Sequence, residues 1–241
     1  MESLPAYVSI VFVLTTLAAI GFLMRAMNSA GIKALPSRIL MFVLPLWLMF
    51  QGVLALGGFF LKTDVVPPRL AVFAVWPAVL LIVVYFIFFR RSFIERLPLR
   101  LLTLLHIVRI PVELVLLWLF LGGQVPRMMT FEGRNFDILS GILAIVAYFL
   151  AFRDGQPKRA LLIAFNVIGL CLLINVVTIA ILSLPTPIQQ LNFDQPNVAV
   201  LYFPYIWLPA IIVPIVLFAH LAALWQLLFK APSETLRPER S

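Results

Sequence analysis

The stretch from Arg100 to Gly123 constrains this chain more than any other part of it. It is apolar enough and long enough to cross a bilayer, yet it carries His106, Arg109 and Glu113 near its middle. At about 100° per residue these three side chains fall within roughly 60° of helix surface, spread over about 10 Å of height. Because an ionised side chain at bilayer depth costs about 2.5–3.5 kcal/mol on insertion scales, we expect all three to point into a helical bundle.

The rest of the chain supplies the helices for such a bundle. Hydrophobic residues make up 63% of its 241 residues, well above the roughly half-apolar balance of soluble domains. We therefore expect a single all-α domain over residues 1–230, a polytopic integral membrane protein, followed by a disordered tail over residues 231–241. Hydropathy predicts seven transmembrane helices, at residues 6–26, 38–61, 69–90, 100–123, 136–153, 159–184 and 200–230.

The positive charge of the chain indicates its orientation. The formal net charge is +8, and the basic residues are divided unequally between the two sides of the predicted bundle. One side carries Arg25, Lys33, Arg38, Arg90, Arg91, Arg96, Arg100, Arg153, Lys158, Arg159, Lys230, Arg237 and Arg240, and the other side only Lys62, Arg69, Arg127 and Arg134. The positive-inside rule therefore places the N-terminus outside and the C-terminus in the cytoplasm. The same charge suits anionic lipid headgroups on the cytoplasmic side, and nothing in it indicates nucleic acid.

Other polar residues within the predicted spans are candidate partners for the charged patch. Gln51, Asn166, Asn175 and His220 could complete a ligand-binding site with His106, Arg109 and Glu113. Asn166 and Asn175 are nine residues apart and so lie on opposite faces of a regular helix, which means that at most one of them belongs to the site.

Three further residues are candidates at the outer mouth of the bundle, namely Asn135, Asp137 and Tyr205. Asp137 could cap the fifth helix through its free backbone N–H groups, or it could contact a ligand. The long connector before residue 200 is rich in proline and polar residues, which is compatible with a lid or with a simple tether.

The charged patch itself has two interpretations. Arg109 and Glu113 are four residues apart and can pair along their own helix, with Pro111 between them freeing the carbonyl of Ile107. A buried ion pair with an adjacent histidine and no ligand is the structural interpretation. In the functional interpretation the patch is an ion, proton or solute site, in which His106 and Glu113 exchange protons while Arg109 holds an anionic group such as a carboxylate.

Several more specific classes of membrane protein can be compared with the residues of this chain. A retinal pigment is disfavoured because all four lysines lie at predicted membrane edges. The chain has two histidines, which leaves few ligands for an intramembrane zinc site. We therefore predict no metal site. Haem held by His106 and His220 is a minor alternative that requires the two rings to face each other. The two halves of the chain share no repeat of the kind that many transporters show.

These observations favour a seven-helix protein that binds, and translocates, a small solute or ion at the His/Arg/Glu site. The first alternative is a sensor or receptor-like bundle that binds a ligand from outside. The second is a membrane redox or hydrolytic enzyme, although no catalytic residue is predicted and we expect no cofactor. The compact chain is compatible with a bacterial inner membrane, and its sequence does not decide the oligomeric state.

Overall fold

The computed structural model describes residues 4–153 and 156–229 of the chain. It is all-helical, with 74% helix and no strand in the described residues. The expected disordered tail over residues 231–241 lies outside them. The α-helices are α1 (Ala6–Gly31), α2 (Leu35–Leu56), α3 (Trp76–Phe88), α4 (Leu99–Leu105), α5 (Arg109–Leu121), α6 (Asp137–Ala151), α7 (Arg159–Leu182) and α8 (Val213–Phe229).

Four of these helices adjoin a 3₁₀- or π-helical turn. A π-helical turn, Ala71–Val75, precedes α3, and a second one, Leu208–Ile212, precedes α8. A 3₁₀ turn, His106–Val108, joins α4 to α5 into one run. In the described part of the chain, six helical runs are long and apolar enough to cross a membrane: Ala6–Gly31, Leu35–Leu56, Ala71–Phe88, Leu99–Leu121, Arg159–Leu182 and Leu208–Phe229. This set of helices is that of a polytopic membrane protein.

The prediction of seven full transmembrane helices was wrong by one. The predicted span over residues 136–153 forms α6, an apolar helix of 15 residues. At 1.5 Å per residue it is about 22 Å long, short of the roughly 30 Å of a bilayer core. The physical reason is that Asp137, its first residue, pairs with Arg109, which lies halfway along the Leu99–Leu121 run. The helix therefore begins at mid-depth.

The connector before α6 fills the space that a longer helix would have occupied. Its residues Val125, Met129, Thr130 and Asn135 are buried in the bundle. From Asp137 onward α6 packs against α4, α5 and α7. Non-helical backbone at this depth is tolerated because neighbouring protein groups, rather than lipid, satisfy its hydrogen bonds. The polar residues of the connector are thereby brought to the middle of the bundle.

Prolines within the helical runs leave carbonyls unpaired, and side chains from α2 pair with two of them. Pro77 cannot donate to the carbonyl of Phe73, and Gln51 Nε2 donates to that oxygen instead, at 2.7 Å. In the same way Pro214 leaves the carbonyl of Ala210 free, and Trp47 Nε1 donates to it at 3.0 Å. These bonds attach α2 to the two π-helical segments and explain why Gln51 is buried.

Side-chain contacts define two ends of the bundle. At the first end, Ser9 and Tyr205 form a hydrogen bond of 2.9 Å, and Gln195 Nε2 donates to the carbonyl of Phe120 at 3.0 Å. We call this the Tyr205 end. At the opposite end, Gln226 Nε2 donates to the carbonyl of Ile94 at 2.8 Å, and we call it the Ile94 end. The α4–α5 run passes between the two ends with its polar face buried.

Candidate functional site

Arg109 is the centre of a buried polar network and is only 2% exposed. Its Nε donates to Asp137 Oδ2 at 2.6 Å, and its Nη2 donates to the other carboxylate oxygen. Its Nη1 donates to Ser140 Oγ at 2.7 Å, and both terminal nitrogens reach the carbonyl of Gly169 at 3.2 Å. A bidentate contact of this kind is the strongest that arginine makes with a carboxylate. The ion pair is thus enclosed by α5, α6 and α7.

His220 completes the set of acceptors around Arg109. Its Nε2 lies 2.9 Å from Arg109 Nη1, and because a guanidinium can only donate, this nitrogen is the acceptor. The proton of the neutral ring is therefore on Nδ1, which donates to Asn166 Oδ1 at 2.9 Å. Asn166 Nδ2 donates in turn to the carbonyl of Leu162 at 2.8 Å, which fixes the orientation of the amide. The network accordingly selects one tautomer of His220.

His106 lies against the ring of His220. The two imidazole rings stack with centroids 3.8 Å apart and an interplanar angle of 17°, and Phe165 packs edge-on against His106. His106 is completely buried, and neither of its ring nitrogens has a partner in the described part of the chain. A buried donor left unpaired is costly, so this ring is a poorly satisfied member of an otherwise well-bonded cluster.

Glu113 occupies the other side of Arg109 and is held by Asn135. Asn135 Nδ2 donates to Glu113 Oε1 at 2.5 Å and to the carbonyl of Met129 at 2.9 Å. Its Oδ1 accepts the backbone N–H of Asp137 at 3.0 Å. The second carboxylate oxygen of Glu113, Oε2, is buried and has no hydrogen-bond partner among the described residues. One oxygen of this carboxylate is therefore left for another group.

A cavity of about 110 Å³ adjoins Glu113 and extends along the second half of α7 toward the Tyr205 end. Its polar lining residues are Arg109, Glu113, Asp137 and Asn197, and the remaining lining residues are apolar. Asn197 Oδ1 is a second buried oxygen without a partner among the described residues. The cavity thus combines hydrocarbon walls with two acceptor atoms to which no described residue donates.

A larger cavity, of about 250 Å³, lies between α1, α2, α3 and α8. Its walls are apolar, and none of the buried, unpartnered side-chain atoms identified in the described residues belongs to its lining. It is more than twice as large as the cavity beside Glu113. We place the candidate site at Glu113 instead, because convergent polar groups in an otherwise apolar pocket are what orient a ligand.

The structure assembles most, but not all, of the residues that the sequence indicated. His106, Arg109, Asn166 and His220 form one contact network, and Glu113 lies beside it, bonded to Asn135. Gln51 is buried elsewhere, on the carbonyl of Phe73. Asn175 is exposed and donates to the carbonyl of Arg134 at 2.8 Å, so only one of the two asparagines of α7 belongs to the cluster. Tyr205 is buried and bonded to Ser9.

Two expectations about carboxylates differ from the structure. Arg109 pairs with Asp137 rather than with Glu113, because Asp137 is brought in from α6 and offers both of its oxygens. Asp137 itself forms no capping hydrogen bond, since the helix is preceded by Phe136 and its carboxylate faces the guanidinium. Asn135 and Asp137, placed at the outer mouth by sequence, thus lie in the buried network.

Three contributors were missed by sequence reasoning: Ser140, Gly169 and Asn197. Ser140 follows Asp137 by three residues and so shares its helix face, which is a signal that the sequence does contain. At Gly169 an added Cβ would lie 2.5 Å from His220 Cε1 and 2.7 Å from Ser140 Oγ, so the close approach of the helices requires glycine there. Asn197 lies in an irregular connector and gives no comparable signal.

The arrangement of the two histidines differs from that of a bis-histidine haem site. In a bis-histidine haem site the ring nitrogens point at each other across the iron, whereas here the rings of His106 and His220 stack face to face and His220 Nε2 accepts from Arg109. In the described residues there is no group of three or more His, Cys, Asp or Glu side chains that could hold a metal ion.

Comparison with known proteins gives one family. The model of a family described as a domain of unknown function, DUF8737, matches residues 66–228. This region begins just before the π-helical turn Ala71–Val75 and includes every residue of the buried network. The curated proteins and the solved structures contain no match.

Proposed function

We propose that the chain, which belongs to the DUF8737 family, is a membrane protein that binds a small solute or ion beside Glu113 and translocates it with proton exchange. The observation that carries the proposal is Oε2 of Glu113, which is buried at the wall of an apolar cavity in the middle of the bundle and has no hydrogen-bond partner within residues 4–153 and 156–229. Ionisable groups at this depth are costly and typically mark an ion, proton or solute pathway.

The charges around Glu113 support the exchange of a proton or another cation. Arg109 and Asp137 neutralise each other in a bidentate pair. Glu113 is then an additional acid, stabilised by one hydrogen bond from Asn135. A second carboxylate in a buried site is satisfied by a proton or by a cationic group, and alternation between the two would couple solute movement to proton movement.

A path for the proton on the other side of Arg109 is provided by the histidines. His220 accepts from Arg109. His106 stacks on His220, and neither of its ring nitrogens has a partner among the residues that the structure describes. An imidazole ring can accept a proton at one nitrogen and donate one from the other, and histidines serve as relays in many pumps and transporters. We propose that His106 receives protons on the side of the network that faces the Ile94 end.

We further propose an orientation in which the Tyr205 end faces outward, in a bacterial inner membrane. The connectors at the Ile94 end carry most of the basic residues, and these favour the cytoplasmic side. Anionic headgroups of that leaflet are then the lipids in contact with the basic connectors.

A second candidate function is that of a sensor, favoured by the connector between α7 and α8. Its residues Leu184, Asn197 and Val200 line the Glu113 cavity. A connector that forms one wall of a ligand site can report occupancy as well as permit passage. In this alternative the ligand binds at the same place and does not cross the membrane.

Reconstituted liposomes distinguish the two functions. The full chain is placed in liposomes that enclose a pH-sensitive dye, and gradients of small amines, carboxylates, alcohols, Na⁺ and K⁺ are applied one at a time. We expect at least one gradient to change the internal pH, and Glu113→Gln to abolish the change. Glu132→Gln, which removes an exposed acid from the connector before α6, is the matched control and should leave the flux intact.

The possible results of these measurements lead to different conclusions. Binding without flux supports the sensor. If wild-type protein behaves like Glu113→Gln and like empty liposomes for every solute and also binds none of them, the proposed function is wrong.

A further inference from the structure

Resting on the proposed function, we infer that the ligand of the Glu113 cavity is an organic ammonium with a small hydrocarbon body. Arg109 is not available to an anionic ligand. An anionic ligand would need the guanidinium, but Asp137, Ser140, Gly169 and His220 already engage its donors. Asp137 occupies the place that the carboxylate of a ligand would take.

The atoms that remain available are acceptors. Glu113 Oε2 and Asn197 Oδ1 both lack partners among the described residues, and both residues line the same cavity. A ligand that satisfies two oxygens, one of them on a carboxylate, must bring N–H or O–H donors. An ammonium group brings up to three such donors together with the positive charge that balances Glu113.

The apolar lining of the Glu113 cavity favours an organic cation over an inorganic one. Apart from its four polar residues, the cavity is lined by side chains such as Leu116, Leu173, Val176, Ile212 and Val216. Na⁺ or K⁺ would find too few oxygen ligands there to replace its hydration shell, since hard cations take about six or more. A hydrocarbon body, in contrast, gains about 25 cal/mol for each Å² that it removes from water. The volume of about 110 Å³ restricts that body to a small group.

The ligand class is tested with three compounds that share one ring. The full chain in lipid nanodiscs is titrated calorimetrically with cyclohexylammonium, cyclohexanol and cyclohexanecarboxylate, and titrations of empty nanodiscs are subtracted. We expect cyclohexylammonium to bind at least about tenfold more tightly than the other two compounds, because charge-assisted hydrogen bonds contribute about twice as much as neutral ones. This comparison uses wild-type protein alone and does not depend on the folding of any variant.

Variants then locate the binding. Glu113→Gln should weaken cyclohexylammonium at least about tenfold and remove the preference over cyclohexanol. Asn197→Ala should weaken it a few-fold, as expected for one neutral hydrogen bond. Glu132→Gln should leave the affinity unchanged, because its carboxylate is exposed on the connector before α6.

Each other outcome overturns the inference. Tighter binding of the carboxylate or the alcohol, equal binding to Glu113→Gln, displacement of cyclohexylammonium by Na⁺, or no binding of the ammonium would each show that the ligand is of another class. The liposome assay keeps this result apart from the proposed function. Flux of a different solute that depends on Glu113 would retain the function and reject only the ammonium.

Discussion

The guanidinium of Arg109 and the carboxylate of Asp137 form a two-bond contact between side chains that are 28 residues apart in the chain. Arg109 lies halfway along a membrane-length helical run, and Asp137 is the first residue of a shorter helix. The contact therefore sets the depth at which α6 begins. It also leaves Glu113 as the acid that Arg109 does not neutralise.

Removing either partner of this pair should destabilise the protein strongly. We expect Arg109→Met and Asp137→Leu each to cost about 3–5 kcal/mol, because each breaks a buried ion pair by removing one partner. The double variant should cost less than the sum of the two, since it removes both charges together. Unfolding by SDS, followed by circular dichroism, measures all three free energies. Strict additivity would show that the two side chains do not interact.

Gly169 should not tolerate a methyl group. A Cβ there would lie 2.5 Å from His220 Cε1 and 2.8 Å from His220 Nε2, so Gly169→Ala must displace the ring that accepts from Arg109. We expect a loss of about 1–3 kcal/mol. Gly21→Ala is the matched control, because a Cβ there meets no atom within 4 Å and alanine favours the helix by up to about 1 kcal/mol. Thermal unfolding in detergent compares them, and equal melting temperatures would contradict the packing.

The tautomer of His220 can be observed directly. We expect ¹⁵N spectra of histidine-labelled protein to show a neutral ring protonated at Nδ1, because Nε2 accepts from Arg109 and Nδ1 donates to Asn166. The chain has two histidines, so the spectrum of His106→Phe assigns the signals. A His220 ring protonated at Nε2 would be incompatible with the hydrogen bond from Arg109. Asn166→Leu should weaken the preference for Nδ1.

The orientation of the bundle can be tested with two cysteines. In a Cys171→Ala background, we expect Glu132→Cys to react with a membrane-impermeant maleimide on intact cells. We expect Ser92→Cys, on the basic connector between α3 and α4, to react only after permeabilisation. Both native side chains are exposed, so access is not limited by folding. The opposite labelling pattern would invert the proposed orientation.

The sequence was informative about features that depend on a single helix. An apolar run with His106, Arg109 and Glu113 on one face had to turn that face inward, whatever surrounded it, because charge in lipid is costly. The nine-residue spacing of Asn166 and Asn175 likewise separated them without any knowledge of their neighbours. Both features depend on helix geometry alone and are found in the structure.

The partners of that face depended on distant parts of the chain. Glu113 and Asp137 are both acids that Arg109 could reach, and sequence spacing favoured Glu113 because it lies one turn away. Only the packing of α6 against α5 brings Asp137 to the guanidinium. The length of α6 was misjudged for the same reason, since an apolar window does not reveal that the ion pair fixes the start of the helix at mid-depth.

The burial of Asp137 at the start of α6 also has a consequence for biosynthesis. Because Arg109 precedes Asp137 by 28 residues, it leaves the ribosome while its final partner is still inside the exit tunnel. During that interval the only acidic side chain on its own helical run is Glu113, four residues further along. Such a neighbour can neutralise the arginine within a single helix. Glu113 would then pair with Arg109 while their helix inserts into the bilayer. Once α6 has packed and Asp137 has taken over the pairing, Glu113 would be available to a ligand in the cavity.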